Sequence, residues 1–191
     1  QHGYIALVGF YLYTRLLTQA VQKLQQSEPF RDIEVAATGV PSAYSSISVD
    51  LPLNAGIPQS YVAKQGMRLN LYRRLANLED EGELDLIEAE FRDRFGDLPE
   101  SVINLLFQIR VKLKGQAAGL QSIAAEGNQI VMRFQAQNED GDLPDLWKPI
   151  RSGKAAYWLP VDFSSSEAWK TLLLKALDTI YDTRQIEVSH G

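Results

Sequence analysis

The run from 84 to 113, L-D-L-I-E-A-E-F-R-D-R-F-G-D-L-P-E-S-V-I-N-L-L-F-Q-I-R-V-K-L, limits this chain more than any other. Leu84, Ile87, Phe91 and Phe95 step by three or four residues and predict one amphipathic helix. Gly96 follows, a residue free to take positive φ just past a helix end. Pro99 suits the first turn of a second helix, where a missing N–H costs nothing. Val102, Leu105, Leu106, Ile109 and Leu113 give that helix its own apolar stripe. Two such helices on so short a connection must fold back into a hairpin, each burying its stripe.

The flanking sequence predicts the rest of the architecture. A ridge of Phe10, Tyr13, Leu17, Val21 and Leu24 predicts a separate helix over about 9–26. The Pro-, Gly- and Ser-bearing stretch 27–45 reads as a linker. Ile47, Val49 and Leu51 alternate with Ser48 and Asp50, the mark of a half-buried strand. Met67 to Leu78 predicts a helix with Leu71, Tyr72 and Leu75 inward, and Glu79 to Glu83 supply acid at the next helix start. Gly119 ends the second hairpin helix. Leu120–Ala124 and Gln129–Phe134 then flank Glu126-Gly127-Asn128, in which Gly127 and Asn128 both tolerate positive φ, as a β-hairpin. Ala155–Leu159 reads as another strand. Glu167 to about Tyr181 reads as a closing helix with Ala168, Leu172, Leu173, Ala176 and Ile180 inward. The sum is an α+β fold: a small, mostly antiparallel sheet packed with several helices and preceded by a separate N-terminal helix. The predicted units are 1–26, a linker at 27–45, and a domain at 46–185.

Chemistry of the catalytic kind finds few candidates. The two histidines, His2 and His190, stand at opposite ends, so a triad has no interior imidazole. There is no phosphate-binding G-x-x-x-x-G-K-[ST] loop, and the glycines make no dinucleotide fingerprint. With no cysteine there is neither disulfide nor thiolate metal site, which fits a reducing cytoplasm. The oxygens around Asn138–Asp145 lack the ordered ligand pattern of a calcium loop. No apolar run approaches the ~20 residues of a membrane span. Nineteen basic against 24 acidic residues leave a net charge of −5, a poor basis for direct DNA binding by this chain. What stands out is a charged flank. Glu90, Asp93 and Arg94 share one side of their helix beside the apolar stripe, with Glu90 and Arg94 spaced as an i,i+4 ion pair.

The stretch E-A-E-F-R-D-R-F-G-D-L-P resembles a signature of the C-terminal module of the transcription-repair coupling factors. Q-x-G-x-I-x-x-V-G-F-x-L-Y-x-x-L-L at the start is similar to the segment after the last helicase motif of these RecG-like translocases. There Gln1 falls on the motif glutamine, with His2 where Ser is usual. R-L-x-L-Y-R-R-L-A, from Arg68 to Ala76, and the strand-then-I-P-x-x-Y-V order before it also match. The resemblance runs from Gln1 to about Phe134, in order and with similar spacing.

The resemblance implies a C-terminal regulatory module, with the tail of a motor domain ahead of it, cut from a longer protein. The chain's start without Met agrees with that expectation. It implies that Glu90, Asp93 and Arg94 form an intramolecular interface with the UvrA-binding module near the longer protein's N-terminus, masking it until needed. It implies UvrA and RNA polymerase as indirect partners, and Gln1 as a remnant of the translocation motif. ATP and Mg²⁺ belong to the motor, so no cofactor, no metal and no catalytic residue is expected in this chain. The residues alone leave a second reading open: a free-standing α+β adaptor whose 84–113 hairpin binds some other protein.

Overall fold

The computed structural model describes residues 47–135 and 143–190. The expected N-terminal helix, the linker and Gln1 lie outside the described residues. The elements run β1 (Ser48–Asp50), α1 (Gln65–Ala76), α2 (Glu81–Phe95), α3 (Glu100–Ala117), β2 (Leu120–Glu126), β3 (Gln129–Phe134), β4 (Arg151–Ser152), β5 (Ala156–Pro160) and α4 (Ser166–His190). The five strands form one sheet in the order β1-β2-β3-β5-β4. β1 runs parallel to β2, and every other pairing is antiparallel. The fold is the α+β arrangement that the sequence predicts.

Local chemistry explains the element ends. The Asp80 carboxylate accepts from Glu83 N–H at 2.9 Å and caps α2, while the Glu83 carboxylate accepts from Glu79 N–H at 3.0 Å. At its other end Gly96 takes φ +83° and its N–H closes on Arg92 O. The Tyr61 hydroxyl lies 3.0 and 3.1 Å from the carbonyls of Phe91 and Gly96, so the loop before α1 fastens the corner. Pro99, at φ −63°, is the cap residue of α3, and its carbonyl accepts from Val102 and Ile103. The β2–β3 turn has two central residues, Gly127 and Asn128. Only Gly127 adopts positive φ, so Asn128 needs no left-handed backbone.

Two apolar cores share one helix. The first lies between α1, α2, α3 and the 55–62 loop: Ala55, Ile57, Val62, Leu71, Leu75, Leu84, Ile87, Phe91, Val102, Leu105, Leu106, Ile109 and Leu113. The second lies between the sheet and α3–α4, with Ile123, Ile130, Met132, Tyr157 and Leu159 beneath Val111, Trp169, Leu173, Leu177 and Ile180. Both hairpin stripes are therefore buried as their spacing requires, except that Phe95, at the end of α2, is half-buried against the first core. Gly115 is what lets α3 lie flush on the sheet, since a Cβ there would come within 2.5 Å of Ile47 Cδ1 and 2.7 Å of Ile123 Cδ1.

The closing helix differs from the sequence reading in two ways. The inward side of α4 is Trp169, Leu173, Ala176, Leu177 and Ile180, whereas Ala168 is exposed. Trp169 wins because its ring meets Phe107 and Phe163 edge to face at 5.7 and 5.4 Å, area that a methyl group cannot supply. The same helix continues to His190, well past Tyr181.

Phe91 has no solvent exposure, whereas Leu86 on the same helix is 73% exposed. Phe91→Ala should cost about 3–5 kcal/mol, and Leu86→Ala within about 0.5 kcal/mol of nothing. Chemical denaturation of the two variants checks the assignment of the buried face, and equal losses would contradict it.

Candidate functional site

Glu90 is the centre of the polar surface on α2. One turn of helix brings Arg94 onto its Oε1. From α1, Arg74 approaches with both guanidinium nitrogens, Nη1 to Oε1 at 2.9 Å and Nη2 to Oε2 at 2.6 Å. This forked contact matches guanidinium to carboxylate geometry and ties the end of α1 to α2. The hydrogen bonds from Arg74, then Arg94, pull the Glu90 carboxyl down to about 2. Arg94 also lies over the Phe95 ring, 5.2 Å from its centroid. All three side chains keep substantial exposure, so the cluster sits at the surface.

Of the expected trio, the structure joins Glu90 and Arg94 and leaves Asp93 apart, exposed and without an ion pair among the described residues. Arg74 is the member that sequence reading missed. Arg73-Arg74 is visible as a basic pair at a helix end, but no periodicity in one helix says which residue of another it will meet.

A second ionic seam runs across the helices. Arg110 on α3 reaches Asp85 at 2.7 Å and Glu81 at 3.2 Å on α2. Lys114, one turn on, reaches Glu81 at 2.9 Å and Asp178 of α4 at 2.6 Å. Two cations on α3 thus link three helices. A shallow cleft of about 300 Å³ opens between Pro52–Asn54, the start of α3, Phe163 and Trp169. At its base Asn104 donates to Asn54 O at 3.1 Å and accepts from the buried Lys170 Nζ at 2.9 Å. The Asn104 amide is thereby satisfied as both donor and acceptor. Among the described residues no three His, Asp or Glu side chains gather as a metal site, and no helix is long and apolar enough to cross a membrane.

Fold and surface define an α+β domain whose exposed chemistry is ion pairing between helices. Residues 51–143 match the family model of the TRCF domain. A transcription-repair-coupling factor of Mycobacterium tuberculosis (strain CDC 1551 / Oshkosh) is 33% identical over 130 residues, 65% of this chain and 10% of that protein. Its counterpart in Staphylococcus aureus (strain USA300) is 31% identical over 146 residues, 75% of this chain and 12% of that protein. The crystal structure of a C-terminal domain of transcription-repair coupling factor superposes with a TM-score of 0.58 at 19% identity, over 73% of this chain and 96% of that one. That likeness is one of fold. The chain belongs to the TRCF-domain family and spans about a tenth of the length of these curated relatives.

The Glu90 carboxyl sits below its ordinary value of 4.5, so its ion pairs stabilise the fold above that pH and are lost as pH falls from 4.5 towards 2. Glu90→Gln should therefore lower stability by about 0.2–1 kcal/mol at neutral pH. The deficit should shrink through that acid window and in high salt. Denaturation of wild type and variant across pH is the check, and a deficit that does not vary with pH would show that the pairs contribute nothing.

Proposed function

We propose that this chain is the C-terminal regulatory module of a longer, ATP-dependent DNA translocase that couples transcription to nucleotide-excision repair. In this reading it covers the UvrA-binding module of the same protein until the motor engages a stalled RNA polymerase. The observation that carries the reading is the Glu90 cluster. It is an exposed ionic network on a TRCF domain that includes Glu90 and Arg94, two of the three residues expected from the resemblance to make an intramolecular contact.

The physics of such a cluster suits a releasable contact. Exposed ion pairs are individually weak and screened by salt, so a competing surface can displace them. Their pattern of charge still selects which surface is met. Asp93, with no ion pair among the described residues, is open to a cation of the covered module. Arg94 joins only by exchange, because it already lies on Glu90 and over Phe95. Release of a bistable contact of this kind orders events: the motor moves, the cover opens, and UvrA is recruited. ATP and Mg²⁺ act in the motor part of the longer protein. This domain works by contact in the cytoplasm and transforms no substrate.

In the longer protein, Asp93→Ala combined with Arg94→Ala should raise both UvrA capture and basal ATPase several-fold. Pull-down and ATPase rates equal to wild type would make these residues ordinary surface and sink the reading. The 191-residue chain by itself should turn over no ATP and bind duplex DNA negligibly at physiological salt, given its net charge of −5. A tight complex in a gel-shift assay would contradict that.

A further inference from the structure

Gln108 Nε2 is shut off from solvent and has no hydrogen-bond partner, the one buried side-chain nitrogen or oxygen so placed among the described residues. Lys112 follows one turn later on α3. It is half-buried, it forms no ion pair among the described residues, and burial pushes its ammonium pKa down. The other cations of this helix are treated differently. Arg110 and Lys114 each meet at least two carboxylates. Positions i and i+4 stand side by side on a helix, so the two side chains leave α3 on the same flank.

The surroundings locate this flank. Asn104, one turn before Gln108, bonds Asn54, and Gly115, three residues after Lys112, lies against Ile47. The flank therefore runs along the 47–54 segment that contains β1. β1 is the last strand of the sheet, and its outer edge is unpaired among the described residues. Val49, on the helix-facing side of β1, is only half-buried.

We propose that Gln108, Lys112 and the free edge of β1 form a docking site for an extended acidic segment of a partner polypeptide. The segment's backbone adds a strand to β1, and a helix-facing carboxylate accepts from Lys112 Nζ and, as the Gln108 side chain turns out of its buried position, from Gln108 Nε2. Charge complementarity selects this occupant. Both groups are donors, so an apolar strand would bury them unsatisfied and a basic one would be repelled. The site shares no residue with the Glu90 cluster and does not depend on the role given to that cluster.

The test uses the full 191-residue chain, followed by NMR at the Ser48–Asp50 amides and the Lys112 side chain. The probes are acetyl-VEVEV-amide and acetyl-VQVQV-amide. The acidic peptide should shift both sets of signals, and the neutral peptide should bind at least about tenfold more weakly. Lys112→Met and Gln108→Leu should each cut binding of the acidic peptide by a similar factor. Both variants should also melt no lower than wild type, since each removes a polar group that lacks a partner in the isolated chain. The proposal fails if the acidic peptide does not bind up to its solubility limit, if Lys112→Met leaves binding intact, or if either variant lowers the melting temperature. It also fails if E28Q/D32N/E34Q in the same chain moves the Lys112 signals, because the chain's own upstream carboxylates would then hold the site.

Discussion

Helix α3 has to be apolar on two sides at once. Val102, Leu105, Leu106, Ile109 and Leu113 face the α1–α2 core, while Val111 and the neighbouring Ala118 join the core over the sheet. Burying one Leu, Ile or Phe side chain is worth about 1.5–3 kcal/mol, so the helix contributes to both cores on a scale that no surface pair matches. Close contact with the sheet needs a bare backbone at Gly115, against the δ-methyls of Ile47 and Ile123. A glycine inside a helix costs about 0.5–1 kcal/mol relative to alanine, and the packing it permits offsets this.

Against that scale, the ionic surface has a different task. Exposed pairs contribute from nothing to about 1 kcal/mol each. Arg110 and Lys114 cannot hold α2, α3 and α4 together against the entropy of folding. They favour the register in which α2 and α4 lie against an axle already seated by its apolar sides. Arg74 and Glu90 do the same for α1 and α2. Weak contacts that choose between similar arrangements also leave a surface open to rearrangement by a partner.

Much of the fold is legible in the sequence because periodicity records burial directly. The stripes of 84–95 and 102–113, the alternation at 47–51 and the glycines at 96, 119 and 127 each have one local explanation, and the structure follows it. What escapes is what depends on distant partners or on the absence of a signal. β4 has two residues, too few to show an alternation. β3 itself is read correctly as a strand, but Val131 is fully buried between Ile130 and Met132, so its second face is covered where the alternation suggests only one. α4 runs past Ile180 although its tail offers no apolar stripe. Nothing from Tyr181 to His190 breaks it, and Thr179 and Thr183 turn their hydroxyls back onto carbonyls of the preceding turn. At the candidate site, Glu90 and Arg94 are visible as neighbours on one helix. Arg74 becomes their third member only when two helices cross.

A shared axle leaves this domain without a line of weakness. The same eighteen residues wall both cores, so loss of that helix would open both at once. Strain applied at the sheet or at the closing helix is therefore handed across a stiff rod to the α1–α2 face in one piece, not absorbed at a hinge between lobes. A body built in this way moves as a lever.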